Sequence, residues 1–290
     1  MTCHLVLGDP AYSSWSMRAW LLFDHAGLKP RITWLDFTLG SAESQLSAVP
    51  PARLVPCVIG DEGTVIWESL AIAEELAACH PAAGFWPGNV AARATARSLA
   101  AEMHAGFPAL RNDCPMNLRT AYAGVDVSGP VAADLTRLAE IWRHARRVAG
   151  GEGPWLCGHW SIADAFFAPV AARIAGYGLD IPPDARAYVD AHLAHAGFRR
   201  WRAMGLVRGT TLERYARPHA VAPWPGPAPR PARAVDAGRP ENTRCPFSGG
   251  PARWLAELDG RVIGFGNAFC RDKVVADPDA WPEIVQLLNG

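Results

Sequence analysis

Apolar and polar positions near the start of the chain predict a strand, a helix and a second strand. Cys3–Leu7 is a short apolar run of strand length, and Trp15–Ala26 is a longer, mostly apolar run of helix length. Arg31–Asp36 alternates between polar and apolar residues, as a half-buried strand does. These three segments predict a β-α-β unit.

A hairpin and a further helix are predicted next. Val55–Ile59 and Thr64–Trp67 flank the turn residues Gly60-Asp61-Glu62-Gly63, and Ser69–Ala78 has helical length. The order β-α-β followed by β-β-α indicates an α/β thioredoxin-like domain, which we assign to residues 1–84.

Beyond Pro87 apolar residues recur at helical spacing, which predicts an all-α domain over residues 88–215. Ser161-Ile162-Ala163-Asp164 fits a capping box, in which the Ser and Asp side chains bind free backbone N–H groups at the start of a helix. The apolar run Ala165–Ile174 follows it. The spaced positions are Ala96, Leu99, Met103, Phe107 and Leu110, then Leu135, Leu138, Ile141, Trp142, Ala145 and Val148.

Residues 216–243 hold seven prolines and almost no large apolar residues. Because proline removes a backbone donor and restricts the chain, this composition predicts a stiff linker without regular secondary structure. The prolines are Pro218, Pro223, Pro225, Pro227, Pro229, Pro231 and Pro240.

A small α+β module is predicted over residues 244–290. Trp254–Leu258 and Arg261–Phe265 flank Asp259-Gly260, a pair favoured in two-residue hairpin turns because both positions need positive φ. The segments of helical length after this hairpin are Ala268–Ala276 and Trp281–Leu288.

Composition and charge narrow the classes of partner. Lys plus Arg and Asp plus Glu each total 28, and no basic run stands out, so nucleic acid is not expected as a partner. The start of the chain, residues 1–5, lacks the features of a signal peptide, and no stretch has the apolar length that spans a bilayer. We therefore expect a cytoplasmic protein without a membrane partner.

The first candidate for chemistry is the pair Ser13 and Ser14, which lies between the first predicted strand and helix. Free backbone N–H groups and the helix dipole favour an anion there and lower the pKa of a bound thiol. The alternative is that one of these serines only caps the helix.

The second candidate is Leu54-Val55-Pro56, where a proline opens a strand after a loop. If Pro56 takes the cis form, the backbone before it can face outward and pair with a peptide-like ligand as an added strand. An ordinary proline on an edge strand is an equally good interpretation.

The third candidate is Glu68-Ser69, at a strand-to-helix corner. The carboxylate can hold an ammonium group, while the hydroxyl and nearby backbone N–H groups can hold a carboxylate. A thiol-activating helix start, a strand that pairs with peptide backbone and a clamp for an amino-acid head group together match a γ-glutamyl tripeptide thiol.

These motifs resemble the glutathione transferases, in particular bacterial Ser-Ser-Trp-Ser members related to the zeta class, over roughly residues 3–215. The resemblance implies glutathione as co-substrate. It also implies that Ser13 supplies the hydroxyl that stabilises the thiolate, because Ser13 lies at the family's distance in sequence before Gly27, the glycine that ends the first predicted helix. Ser14 is the second choice. The resemblance also implies that Val55 pairs with the cysteinyl backbone beside a cis Pro56.

By the same resemblance, Glu68 and Ser69 hold the γ-glutamyl end, and the protein is a homodimer. Tyr12 is discounted, because the tyrosine-type classes place their catalytic residue earlier. We expect the electrophile to bind at His104, Phe107 and Arg111, which combine apolar surface with two cationic groups on one long predicted helix. The alternative is that these residues pack between domains or pair with acids.

The seven cysteines are spread along the chain without a Cys-x-x-Cys pair, which favours reduced thiols. Cys245 and Cys270 bracket the C-terminal hairpin in a layout similar to treble-clef modules of the YHS type. Two cysteines without a histidine do not complete a zinc site, so Asp272, Asp277 or residues elsewhere in the chain would be needed. We assign no metal.

Three functions remain open. The first is conjugation of glutathione to a small electrophile, as in detoxification. The second is glutathione-dependent cis–trans isomerisation, in which the thiolate adds to a conjugated double bond and later leaves. The third is a non-catalytic binding or regulatory protein with this fold.

Overall fold

The computed structural model describes residues 3–150 and 153–289. Its N-terminal domain has the predicted order β-α-β then β-β-α, with one additional short helix. The elements are β1 (His4–Leu7), α1 (Ser14–His25), β2 (Arg31–Trp34), α2 (Ala42–Gln45), β3 (Cys57–Ile59), β4 (Val65–Trp67) and α3 (Ser69–Cys79).

The four strands form one mixed sheet in the order β2-β1-β3-β4. β1 is parallel to β2 and antiparallel to β3, and β3 is antiparallel to β4. Because side chains alternate between the faces of a strand, Leu5 and Leu7 lie in the main core, whereas Val6 packs in a separate cluster with Leu35 and Leu46. The thioredoxin-like prediction is confirmed.

The second domain contains six α-helices in the described residues: α4 (Val90–Ala105), α5 (Pro108–Asp113), α6 (Gly129–Ala149), α7 (Ile162–Gly176), α8 (Pro183–Ala194) and α9 (Ala196–Val207). Every residue of α7 is buried, and this helix packs against α1, α4 and α8. The predicted capping box is confirmed at its start, where Asp164 accepts hydrogen bonds from the Ser161 backbone and hydroxyl. α7 therefore joins the two domains through a shared core.

The prediction of one long helix through Met103 and Arg111 is wrong. α4 ends at Ala105, Phe107 has a left-handed backbone with φ 60°, and Pro108 is the first residue of α5. Pro108 has no N–H to donate back into α4, so the helix stops and restarts in a new direction. The apolar spacing continues across this break, which is why the pattern alone conceals it.

The prediction that residues 216–243 lack regular structure is also wrong. β6 (Ala220–Ala222) pairs antiparallel with β5 (Ala121–Ala123), a strand inside the region predicted as all-helical. β7 (Ala232–Val235) pairs antiparallel with β8 (Trp254–Leu258). Neither β6 nor β7 contains proline, and both lie at sheet edges. Their hydrogen bonds are made with strands that are distant in sequence, so the composition of residues 216–243 alone did not indicate them.

The C-terminal hairpin is confirmed at its predicted ends, with β8 followed by β9 (Arg261–Phe265). Asp259 and Gly260 both have positive φ, 50° and 76°. Two helices follow, α10 (Ala268–Ala276) and α11 (Pro282–Asn289). Because β7 is the third strand of this sheet, residues before 244 also belong to the module. The predicted domain boundaries themselves stay predictions.

Ion pairs hold the module against the helical domain. Arg199 on α9 bonds Asp277 at 2.6 Å, and Arg200 donates to the carbonyl of Ala280 at 2.8 Å. Arg200 also pairs with Asp24 of α1 at 2.6 Å. α9 therefore connects the module to both other domains.

Within the part of the chain that the structure describes, none of the helices is long and apolar enough to cross a membrane.

Candidate functional site

Ser13 caps the N-terminus of α1. Its Oγ accepts a hydrogen bond from the backbone N–H of Ser16 at 3.3 Å and donates to the Ser16 Oγ at 2.8 Å. The Ser16 Oγ in turn accepts from the Gly8 N–H at 2.9 Å. The capping interpretation is confirmed for Ser13, and a role in binding a thiolate stays a prediction.

Ser14 is the first residue of α1 and is 3% exposed. Its Oγ accepts a hydrogen bond from Arg173 of α7 at 3.4 Å. Tyr12 beside it is engaged elsewhere, because its hydroxyl accepts from the Leu212 N–H at 3.2 Å and its ring stacks on Tyr215. The Tyr12 hydroxyl thus already has a backbone partner, and the choice between Ser13 and Ser14 for a thiolate stays a prediction.

A cavity of about 570 Å³ lies beside this helix start. Leu54, Val55 and Pro56 form one wall, and the Val55–Pro56 peptide bond is cis, as predicted. The volume falls within the usual range for a small-molecule site. Its lining residues are Trp15, Phe37, Ala42, Pro51, Arg53, Leu54, Val55, Pro56, Trp67, Glu68 and His104.

Glu68 forms a second wall of the cavity, and Ser69 lies next to it in sequence but is not part of the cavity lining. Glu68 has a positive φ of 71°, a conformation that side chains rarely adopt and that clusters at functional sites. Ser69 begins α3, is fully buried, and its Oγ has no hydrogen-bond partner in the described residues. A buried hydroxyl without a partner at a helix N-terminus is the arrangement that a ligand carboxylate satisfies.

His104, near the end of α4, contributes the wall from the helical domain. Its Nε2 lies 3.7 Å from Oε2 of Glu68. Burial lowers the pKa of His104, the charge of Arg18 lowers it further, and Glu68 acts in the opposite direction. Of the three residues predicted to bind the electrophile, His104 lines the cavity. It also faces the acid Glu68, which fits the alternative that these residues pair with acids.

Arg111 lies behind the cavity wall. Its guanidinium is 4.3 Å from the centre of the Trp15 ring and donates to the carbonyls of His104 and Gly106. Phe107 is 4% exposed, packs in the core and is absent from the cavity lining, so its placement at the site is not supported by the geometry. The break at Pro108 turns Phe107 inward.

Two buried arginines complete a positive cluster that sequence reasoning missed. Arg18 on α1 is 1% exposed, and its Nε and Nη1 have no hydrogen-bond partner among residues 3–150 and 153–289. Burial lowers the pKa of Arg18 to about 9, and the charges of Arg173 and Arg111 contribute to this shift. The signal available from the sequence was a single arginine inside the mostly apolar run Trp15–Ala26. In the structure, this arginine lies on the side of α1 that packs against α7.

The cluster places positive charge around Ser14 and Trp15. Arg18 lies 5.1 Å from the Trp15 ring, and Arg173 contacts Ser14. Together with the N-terminus of α1, these cations produce a field that favours an anion near the helix start.

The residues do not form a recognisable metal centre. Across the described ranges, no group of three or more His, Cys, Asp or Glu side chains is arranged to hold a metal ion. The resemblance of the C-terminal module to YHS modules stays a prediction.

The structure has a thioredoxin-like domain joined to a helical domain, with a cavity to which both domains contribute residues. Residues 12–79 match the family model "Glutathione S-transferase, N-terminal domain". This match lies within the N-terminal domain, and the similarity to solved structures lies in the fold.

The chain is also similar to individual known proteins. A "Probable maleylacetoacetate isomerase" from Caenorhabditis elegans is 28% identical over 175 residues, which cover 59% of this chain and 78% of the relative. A glutathione transferase homolog from Burkholderia, solved with bound glutathione, has a TM-score of 0.55 at 23% identity and covers 72% of this chain and 100% of its own. A Tau class enzyme from mango, Mangifera indica, has a TM-score of 0.54 at 16% identity over 69% of this chain and 92% of its own.

Proposed function

We propose that this protein binds glutathione in the cavity beside α1 and stabilises its thiolate for attack on a small electrophile. The observation that carries the proposal is the cavity itself, in which Val55–Pro56 and Glu68 form adjoining walls. The Burkholderia structure, crystallised with glutathione on the same fold, supports this ligand.

The γ-glutamyl end of glutathione is assigned to the corner at the start of α3. The Glu68 carboxylate is half exposed and pairs with the ligand ammonium. The unpartnered Ser69 Oγ and the first N–H groups of α3 hold the ligand carboxylate. One head group thus satisfies an acid and a buried hydroxyl together.

The middle of the tripeptide is assigned to the wall at Leu54 and Val55. Leu54 is 66% exposed, and the backbone here enters β3 from a loop. The cysteinyl backbone pairs with Val55 as an added strand, which directs the thiol toward α1.

The thiol is assigned to the N-terminus of α1. A hydrogen bond from Ser13, or from Ser14, stabilises the thiolate, and the helix dipole and the three arginines add positive potential. For this role the Ser13 hydroxyl donates its hydrogen bond to the glutathione sulfur instead of to the Ser16 Oγ. The Ser13 Oγ still accepts from the Ser16 N–H, so the helix cap is kept. The reaction is accelerated because a larger fraction of the glutathione thiol is ionised and because the thiolate is held in position to attack the electrophile.

A second candidate function is glutathione-dependent isomerisation. The C. elegans relative is named as a probable maleylacetoacetate isomerase, and the positive potential from Arg18, Arg111 and Arg173 near the cavity favours a substrate that carries carboxylates. In this reaction the thiolate adds to a conjugated double bond, the bond rotates, and the thiolate leaves again.

The mass balance of glutathione separates these functions. The full chain is incubated with glutathione and either an activated aryl chloride or a cis-unsaturated dicarboxylate, and products are identified by mass spectrometry. Conjugation consumes glutathione and yields an adduct, whereas isomerisation converts the diacid without net loss of glutathione. Binding without turnover supports the non-catalytic alternative, and absence of binding contradicts the proposal.

Three accompanying expectations belong to the same proposal. The protein is a homodimer, and it is cytoplasmic. The zeta-like subtype is likewise proposed, from the Ser13-Ser14-Trp15-Ser16 motif at the start of α1. Sedimentation of the purified chain tests the first of these directly.

A further inference from the structure

The C-terminal module contains a pair of cysteines that the proposed glutathione site does not use. Cys245 lies before the hairpin and Cys270 lies in the first turn of α10. The two side chains lie close enough for Cys245 to raise the pKa of Cys270, and neither forms a disulfide in this structure. The fold therefore brings together two thiols that are 25 residues apart in sequence.

Cys245 is held in a tight turn whose donors point at sulfur. The backbone N–H of Ser248 lies 3.5 Å from the Cys245 Sγ, and the backbone of Gly266 on the neighbouring segment also donates to it. Gly249 closes the turn with φ 66°, and its N–H bonds the Cys245 carbonyl at 3.0 Å. Several donors on one sulfur stabilise its thiolate form.

The two cysteines differ in ionisation. Burial alone would raise the pKa of Cys245, but hydrogen bonds from the Ser248 hydroxyl and from backbone N–H groups outweigh it and lower the pKa to about 7. Burial raises the pKa of Cys270, and the adjacent Cys245 raises it further. Cys245 is therefore partly ionised near neutral pH, whereas Cys270 remains a thiol.

Lys273, one turn after Cys270, supplies a positive charge. Its Nζ lies 3.6 Å from the centre of the Phe247 ring and 3.9 Å from that of Trp281. The charge acts on Cys270 and on Cys245. It therefore favours negative charge on either sulfur during a reaction.

A second cavity is lined by neighbours of this pair. Both cysteines are buried, at 3% and 7% exposure, but Phe247, Phe269 and Lys273 beside them line a cavity of about 650 Å³ between the module and the N-terminal domain. Each of these residues lies within three positions of one of the cysteines. The cysteines themselves are not part of the cavity lining, but their sequence neighbours are.

The other cysteines have the opposite character. Burial raises the pKa of Cys57 and Cys114 to about 11 and that of Cys157 to about 12. Cys79 is exposed, and its bond to Glu75 raises its pKa. Since the thiolate is the reactive form, Cys245 is the preferred site of oxidation.

We propose that Cys245 and Cys270 form a reversible disulfide when the protein meets a small hydroperoxide. The Cys245 thiolate attacks one peroxide oxygen, the O–O bond breaks, and Cys245 becomes a sulfenic acid while hydroxide leaves. The Cys270 thiol gives its proton to that hydroxide and its sulfur attacks Cys245. The S–S bond forms, the S–O bond breaks, and hydroxide leaves as water with one solvent proton.

The electrons balance over the two steps. Two thiols lose two electrons and hydrogen peroxide is reduced to two waters. A low-molecular-weight thiol such as glutathione reverses the reaction: one molecule attacks the disulfide to give a mixed disulfide, and a second releases it as the oxidised dimer.

Peptide mapping of the full chain tests the proposal. The reduced protein is treated with hydrogen peroxide, blocked with an alkylating agent and digested with trypsin without reduction. Cleavage at arginine yields the peptides 245–253 and 262–271, each with one cysteine. We expect these two peptides to be joined, and separated again by glutathione. Wild-type protein in which they stay unlinked, or in which Cys245 pairs elsewhere, overturns the proposal.

Single variants test the order of the steps. Cys270→Ser should stop at a sulfenic acid on Cys245 that dimedone traps, whereas Cys245→Ser should leave Cys270 reduced. Cys79→Ser is the matched control, because it removes an exposed thiol outside the module, and it should form the linked peptides as wild type does. If Cys270 in Cys245→Ser formed a sulfenic acid as fast as wild type is oxidised, Cys270 rather than Cys245 would be the residue that attacks the peroxide, and the proposed order would be wrong.

The rate of alkylation in wild type gives a readout that does not depend on variants. Near neutral pH, Cys245 should react at least about tenfold faster than Cys57 or Cys114, in keeping with its larger thiolate fraction. Equal rates for the three cysteines contradict the assignment of Cys245 as the nucleophile.

Discussion

The imidazole of His104 and the carboxylate of Glu68 face each other across the domain boundary, with 3.7 Å between Nε2 and Oε2. Glu68 belongs to the thioredoxin-like domain and His104 to the helical domain. Because burial and Arg18 lower the pKa of His104, this histidine is mostly neutral near pH 7 and leaves the Glu68 carboxylate without full compensation. A ligand ammonium fits this position.

Glu68→Gln should weaken glutathione binding about tenfold, which corresponds to about 1.4 kcal/mol, because the amide cannot pair with the ligand ammonium. Isothermal calorimetry measures the effect. Glu62→Gln is the control, since it removes an equal charge at an exposed turn position. Equal losses in both variants would mean that only the overall charge matters.

Ser69→Ala should separate ligand binding from stability. The Ser69 hydroxyl is buried without a partner in the described residues, so its removal should leave the melting temperature unchanged or raise it. Glutathione affinity should fall about fivefold or more, because the ligand carboxylate loses a donor. A variant that melts lower and binds normally would show that the hydroxyl is structural.

Local signals were sufficient to predict several elements. The Asp259-Gly260 turn and the Ser161–Asp164 capping box depend on neighbouring residues, and both are present as predicted. The candidate walls of the cavity, Val55–Pro56 and Glu68, were found because short motifs at strand ends carry their own geometry.

Features that depend on distant contacts were not predictable in the same way. β6 forms because Ala121–Ala123 is available to pair with it, nearly a hundred positions earlier. Arg18 lies in an apolar run like any core residue, and only the packing of α7 shows that Arg173 lies beside it. The break at Pro108 was hidden because the residues on both sides remain buried.

Asp164→Ala should lower the free energy of unfolding by about 3 kcal/mol. The Asp164 carboxylate accepts hydrogen bonds from Ser161, from the Leu156 N–H and from the Tyr188 hydroxyl, and the variant leaves these buried donors unpaired. Urea denaturation followed by circular dichroism measures the change. Asp126→Ala, at an exposed position, should change stability by less than about 0.5 kcal/mol. A loss of similar size in both would contradict the structural role.

Stability should fall as the solution is acidified, through His195. Burial lowers the pKa of this histidine from 6.5 to about 4 in the folded protein. Between these two pH values the unfolded chain binds a proton that the folded chain does not, so the free energy of unfolding decreases as pH falls. The loss should be on the order of 2 kcal/mol by pH ~4.5.

His195→Phe isolates this contribution. The ring can still stack against Trp160, whose centre lies 5.7 Å from that of His195, but it cannot accept a proton. Denaturation across the same pH range should therefore give a shallower dependence than in wild type. Parallel pH profiles for the two proteins would show that His195 does not contribute.

The most direct test of the central claim is the ionisation of bound glutathione, followed by ultraviolet absorbance in wild type, Ser13→Ala and Ser14→Ala. Ser98→Ala, at an exposed position on α4, is the control. We predict a thiolate near neutral pH in wild type and in the control. In Ser13→Ala glutathione should remain bound while the pKa of its thiol rises by about one unit. Absence of glutathione binding in wild type, or unchanged ionisation in both Ser13→Ala and Ser14→Ala, would contradict the claim that a hydroxyl at the start of α1 stabilises the thiolate.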